Sequence, residues 1–259
     1  MPSEPVSGLE YEVADRVAYV TINRPGKLNA LTAAMYRGLR TCVIRADLDE
    51  GVDLVVLRST GDRAFCAGGD LTESAGAWST DDGLAERLGE LDGRFPFHAF
   101  ERCSKTILTA VNGLAQAAGL IAVLMSDLVI ASDRATFRVP ETRRGLTDPY
   151  IPRRLAQTIG LARARWMIYT AEEIDAPQAL ACGLVARVVP HAELDSAVAA
   201  AVAALGRGGP QARRHYKRMI NETLPPVTLD EYVLCMSSAE AAEGRRSFAE
   251  KRRPAWDRQ

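Results

Sequence analysis

The sequence carries no surplus of either charge: 32 Lys and Arg stand against 33 Asp and Glu, a formal net charge of −1. No global field pulls the protein onto nucleic acid or an anionic membrane, so neither is expected as a partner. Cysteine is sparse and unpatterned, with Cys42, Cys66, Cys103, Cys182 and Cys235 forming an odd, scattered set without a C-x-x-C pair. That excludes a disulfide framework, and an N-terminus (MPSEPVSGLE) without a basic and then apolar leader adds to the expectation of a cytoplasmic protein. His98, His191 and His215 lie too far apart for ligand-pair spacing, so no metal is expected. The G-x-S-x-G elbow, the G-x-x-x-x-G-K loop and the G-x-G-x-x-G turn are all absent, which removes the simplest hydrolase, P-loop and dinucleotide readings. Long apolar runs are missing too. The stretch 107–131 is mostly apolar, but Asn112, Gly113, Gln116, Gly119 and Ser126 interrupt it. It falls short of the roughly 18 apolar residues of a membrane helix and reads as a buried strand followed by a buried helix.

What is present is core-forming material. Of 259 residues, 47% are hydrophobic and 25% charged, the balance of a globular chain with one large domain or a domain with an appendage. Residues 17–22 (VAYVTI) and 52–57 (VDLVVL) are β-branched strand candidates, and between them residues 31–48 show helical spacing after Thr32, an N-cap candidate. The pattern returns as TILTAV (106–111), a small-residue segment through Met125, DLVIA (127–131) and 136–139, an alternation that predicts an α/β fold. From about Pro190 the chain reads as helix over 193–205, 210–222 and 229–243, with breaks at 206–209 and 224–226. The basic cluster Arg245, Arg246, Lys251, Arg252 and Arg253 reads by default as a solvated helix face.

Three stretches carry possible chemistry. AFCAGGDL (64–71) follows a strand, and its small side chains leave backbone N–H groups open to a carbonyl or phosphate. NGLAQAAG (112–119) ends the next strand and opens a helix, whose first turn offers unpaired N–H donors. If both sets of donors aim at one point, they form a pocket for a developing oxyanion. FRVPE (137–141) brings Glu141 past a third strand, where a carboxylate facing the same cleft can act as a base. Taken singly, the three are equally a tight turn, close helix–strand packing and a solvated glutamate.

In this order, the three stretches resemble the enoyl-CoA hydratase/isomerase family of the crotonase superfamily. The resemblance runs from Val17 to Trp256 and includes Thr21-Ile22-Asn23-Arg24-Pro25 with Asn29-Ala30-Leu31, then Ala110-Val111-Asn112-Gly113, and Pro140-Glu141 with Gly145-Leu146. Ala176-Pro177-Gln178-Ala179, Gly183-Leu184-Val185, Glu243-Gly244, Phe248 and Lys251-Arg252-Arg253-Pro254 extend it. It implies an α/β crotonase (ClpP-like) spiral of ββα units over 1–190 for acyl-CoA binding and catalysis, and a helical oligomerisation region over 191–259 that makes homotrimers or hexamers. It also implies an acyl-CoA thioester substrate, with coenzyme A carried as part of that substrate and no separate cofactor. By motif position the oxyanion donors are the N–H groups of Gly69 and Ala118. Lys27, Leu28, Ala67 and Gly69 fall beside the coenzyme A body, and Phe248 and Lys251 match a pair that reaches the nucleotide.

Two departures shape the expected chemistry. Family hydratases use two glutamates; the later is kept as Glu141, while the earlier falls on Ile121, which can neither accept nor donate a proton. One carboxylate suffices for the double-bond shift of the family's enoyl-CoA isomerases, so isomerisation is the first reading. Hydration with an unusual second acid, carbon–carbon bond chemistry through the same enolate, and a CoA-ester-binding protein that has lost its chemistry are the alternatives. The second departure is Gly145-Leu146-Thr147-Asp148-Pro149-Tyr150-Ile151-Pro152, which loses the glycines usual in this loop. Asp148 or Tyr150 is a candidate for the missing proton relay, against the plainer reading of a turn-forming Asp before Pro. The stretch 72–97, expected to cover the acyl pocket, has no readable pattern.

Overall fold

The computed structural model describes residues 6–71, 97–227 and 235–257. Nearly all of the stretch expected over the acyl pocket, and part of the expected helix 229–243, lie outside the described residues. Strands β1 (Leu9–Ala14) and β2 (Val17–Ile22) form an antiparallel pair. Helix α1 (Ala33–Leu48) follows, capped by the Thr32 hydroxyl, which accepts from the Met35 N–H at 3.2 Å. Met35, Leu39, Val43 and Ala46 recur at helical spacing and bury one face of it. The chain then repeats one move: β3 (Leu54–Ser59) enters a large sheet and β4 (Ala64–Cys66) a small one, and after α2 (Phe97–Arg102) the strands β5 (Thr106–Val111) and β6 (Leu114–Gln116) do the same. Following α3 (Ala118–Leu124), β7 (Leu128–Ser132) and β8 (Thr136–Arg138) make the third such pair.

A 3-10 turn over Glu141–Arg144 leads to α4 (Ile151–Ile159), α5 (Leu161–Thr170), β9 (Ile174–Asp175), α6 (Ala176–Ala181) and β10 (Arg187–Val189). The large sheet has the order β1-β2-β3-β5-β7-β10 and the small one β4-β6-β8-β9. Because β3, β5 and β7 are mutually parallel and β4, β6 and β8 likewise, the chain winds as a spiral with two parallel walls. Parallel strands buried on both faces need apolar residues at every position. In β3, Val55 and Leu57 join the main core while Leu54 and Val56 join a second cluster, which α7 (Leu194–Gly206) covers with Leu194 and Val198. Helix α8 (Pro210–Asn221) and helix α9 (Ala239–Ala249) complete the described chain. The helix expected to end at Glu243 instead spans 239–249. The Ser238 hydroxyl accepts from the Ala241 N–H at 3.1 Å and resets the helix start there. Among the described residues no helix is long and apolar enough to cross a membrane.

Candidate active site

Strands β4, β6 and β8 lie side by side and parallel, with Cys66 opposite Ala115 and Gln116 opposite Arg138. The segments that follow them, 67–70, 117–118 and 139–141, therefore leave the small sheet at one edge. With neighbouring strands about 4.8 Å apart, that brings Gly69, Ala118 and Glu141 just past the carboxyl ends of three adjacent strands.

The first wall is fixed by backbone pairing. The Leu31 N–H donates to the Gly68 carbonyl and the Asp70 N–H to the Leu31 carbonyl, both at 2.8 Å, so Gly69 pairs with Leu31 as a parallel bridge. In such a bridge the N–H of the middle residue points the other way, and none of the described residues accepts from Gly69. The loop 24–30 is pinned against it. Arg24 donates from Nη1 to Asp70 Oδ2 at 2.7 Å, and the buried Asn29 side chain accepts from the Arg24 N–H and donates to the Thr60 and Ala64 carbonyls. Leu28, held at a positive φ of 51°, accepts from the Ala67 N–H at 3.1 Å. Lys27, Leu28, Ala67 and Gly69 are thus gathered at one corner.

The second wall is the start of α3. Ala117 stands at φ 51°, ψ −121°, a strained conformation for a residue with a side chain, and turns the chain so that Ala118 opens the helix. The Ala118 N–H belongs to the first turn, where helical amides have no internal partner, and among the described residues it donates to none. The two walls touch: a Cβ on Gly68, which sits at φ +99°, would lie 2.7 Å from Ala117 Cβ and 3.9 Å from the Ala118 amide nitrogen. Gly119 seats α3 on β4, since a side chain there would run into the Cys66 carbonyl. The two open amides are therefore neighbours held by packed backbone, as an oxyanion pocket requires. Ile121 is buried in the hydrocarbon core and presents no polar group.

The third wall is the 3-10 turn. Glu141 Oε2 is buried and has no hydrogen-bond partner among the described residues. Burial, and after it the nearby Asp148 charge, push the Glu141 carboxyl up to about 8. Asp148 is itself raised by burial, to about 6, against the pull of the Tyr150 and Ile151 N–H groups, which donate to its Oδ1 at 2.6 and 2.8 Å. Both carboxyls are thus raised by burial, and an ionised Asp148 makes Glu141 hold its proton more tightly. Tyr150 is fully buried with its ring against Phe97 and His98.

Phe248 lies in the last turn of α9 and Lys251 just beyond its end, and Phe248 meets the Arg144 guanidinium at 4.9 Å from its ring centroid. Two neighbours of the site escaped the sequence reading. The Tyr36 hydroxyl lies 3.2 Å from where a Gly69 Cβ would be, four residues after the Thr32 cap and so one turn along the same helix face. Arg144 shares the turn of Glu141, and its charge draws the carboxyl down. Among the described residues no His, Cys, Asp and Glu group could hold a metal ion.

The sequence profile of the enoyl-CoA hydratase/isomerase family matches residues 12–259. The chain belongs to that family of enzymes. It is 31% identical to a short-chain-enoyl-CoA hydratase of Clostridium acetobutylicum over 250 residues, 93% of this chain and 94% of the relative. A crotonyl-CoA hydratase of Syntrophomonas wolfei is 30% identical over 93% of this chain and 95% of its own. Among solved structures, a carnitinyl-CoA hydratase from Mycobacterium avium superposes with a TM-score of 0.83 at 28% identity, covering 98% of this chain and all of the other. The spiral described above is the crotonase fold. An acyl-CoA substrate accords with the family, and the relatives named here are hydratases.

Proposed function

We propose that this family member shifts the double bond of an enoyl-CoA by moving a proton between C2 and C4. The observation that supports it above all is the carboxyl pair Glu141 and Asp148 at the same strand edge as the open amides of Gly69 and Ala118, with hydrocarbon at Ile121. Glu141, in its ionised form, removes the C2 proton of a 3-enoyl thioester, and the Asp148 charge beside it strengthens it as a base. Electrons move onto the thioester oxygen, where the Gly69 and Ala118 N–H groups bind the developing charge, each worth about 2.7–4 kcal/mol in the transition state. Glu141 returns the proton at C4 as the double bond settles between C2 and C3, and is left ionised for the next turnover. Atoms and charge balance with no further reactant. The Lys27, Leu28 and Ala67 corner, next to Gly69, serves the coenzyme A body.

Hydration of a 2-enoyl-CoA is the second reading, favoured by the names of the relatives. It requires a water held by Glu141 and Asp148 together, although Asp148 Oδ1 already takes two backbone N–H groups. Supplying 3-enoyl-CoA and 2-enoyl-CoA separately distinguishes the two. Movement of the double bond in the first, without a 3-hydroxyacyl product from the second, is the expected result; efficient hydration overturns the isomerase reading. E141Q should lose at least about a hundredfold in turnover, in line with the worth of a positioned acid/base, while keeping the fold. The same reading places the protein in the cytoplasm as a trimer or hexamer. Exposed Leu161, Trp166 and Tyr169 on α5 offer an apolar face for such contacts, checked by light scattering of the purified protein.

A further inference from the structure

The turn that carries Glu141 is clamped from outside by the end of the same chain. Gly244 of α9 lies directly against the Arg144 carbonyl, which would collide with any Cβ placed there. Gly145 ends the turn at φ +60°, and a side chain on it would meet the Glu240 methylene at 2.7 Å and the Trp256 ring at 2.8 Å. The tail bearing Trp256 is folded back by Glu243, whose carboxylate takes Arg252 at 2.6 and 3.0 Å and the Ala255 N–H at 3.0 Å. Within this clamp the Arg144 guanidinium lies over the Phe248 ring. A cation over an aromatic face is held electrostatically as well as by contact.

We propose that Arg144 is a positioning residue for Glu141, held at its station by Phe248 of the docked C-terminal helix. This rests on Glu141 being the acid/base of the reading above, and gives the family-like Phe248 a role within its own chain. Of the charged groups on elements packed around the turn, most are engaged. Arg138 donates to the Ala171 carbonyl and Arg143 to the Thr170 carbonyl. On α9, Glu243 is taken by Arg252, Arg246 also sits near Glu243, and Arg245 reaches the Met236 carbonyl. Glu240 packs its methylene on Gly145, and α5 contributes Arg163 and Arg165 on exposed positions. Arg144 follows Glu141 by three residues in the 3-10 turn, where such side chains stack on one face, and its charge favours ionisation of the carboxyl while Asp148 opposes it. Burial in turn lowers Arg144, and Glu141 counters that, so the two charges support one another.

The test is a pair of titrations. The Glu141 carboxyl is followed by infrared difference spectroscopy against E141Q, and the acid limb of kcat/KM is measured on 3-enoyl-CoA. R144Q should move both upward by about one pH unit, roughly a tenfold loss of rate below the limb, as expected for loss of one nearby opposite charge. R144K and F248Y should keep both in place. F248L should shift both in the same direction by less, and should add nothing in the R144Q background. An unmoved infrared titration in R144Q overturns the proposal, as does an F248L shift that persists in full without Arg144. An infrared shift in a protein that does not isomerise 3-enoyl-CoA would uphold the positioning role and sink the isomerase reading alone.

Discussion

Replacing Asp148 with Asn removes one charge and little else. The Asn side-chain oxygen can accept the same two backbone bonds, from Tyr150 and Ile151, so the turn and the start of α4 are kept. Glu141 loses the neighbouring anion that helps to hold its proton. A like charge close to a buried carboxyl is worth about two pH units, or about 2.7 kcal/mol. The wild-type enzyme should reach its full rate only as Glu141 ionises, near pH 8. In D148N that acid limb should fall toward pH 6, so the variant outpaces the wild type below neutrality while the two converge above the wild-type limb. The assay is kcat/KM on 3-enoyl-CoA across this range, with circular dichroism at each pH to confirm the fold. A limb that stays where it was, with the rate unchanged throughout, refutes the pairing of the two carboxyls.

The same burial that shapes the pH profile predicts a stability signature. A carboxyl raised in the folded state is protonated there while its unfolded counterpart is ionised, so the wild type loses stability as pH rises from about 4.5 to about 8. E141Q, which has no such proton to release, should show a flatter melting profile over that window, and an equal pH slope in both proteins would contradict the buried carboxyl. G68A places a methyl at a positive φ and against Ala117. It should cut turnover at least tenfold by parting the two amides, with a stability loss of about 1–3 kcal/mol by chemical denaturation. N29A strands the Thr60 and Ala64 carbonyls inside the protein and should cost about 1–3 kcal/mol per unpaired group, read from the same unfolding curves. Retention of full stability would show that water or a shifted donor replaces the amide.

Local signals carried the parts of the fold that local forces decide. The Thr32 cap and the β-branched runs of β2, β3 and β5 are visible because each is a few residues long and fully buried or capped on its own. β1 went unread because none of its six residues is buried, four being exposed and two half-buried, so its pairing partner rather than its own pattern makes it a strand. Helices α4 and α5 have Tyr150 and Gly160 at their N-caps, neither giving a side-chain cap, so Pro152 in the first turn of α4 is the one start signal they offer. The oxyanion amides could be located only by resemblance. Their chemistry belongs to backbone whose direction is set by the Leu31 bridge and by the strained Ala117.

The carboxyl pair and its control lay further from reach, for a reason that the glycines make plain. Asp148 meets Glu141 because the 3-10 turn ends in a left-handed Gly145 that folds the loop back upon itself. Gly145-Leu146 and Glu243-Gly244 stand as separate marks of the family in the linear sequence, about a hundred residues apart. In the folded chain they are two sides of one contact: Gly145 makes room for α9, and Gly244 makes room for the Arg144 carbonyl. Neither glycine touches substrate, and neither needs to. By letting backbone meet backbone they bring the C-terminal helix close enough for Phe248 to hold Arg144, and Arg144 is the opposing charge that keeps Glu141 within reach of ionisation. The proton affinity of the candidate base is therefore set by the C-terminal helix as well as by its own turn, which is why a substitution on α9 is expected to be read out as a change in pH dependence.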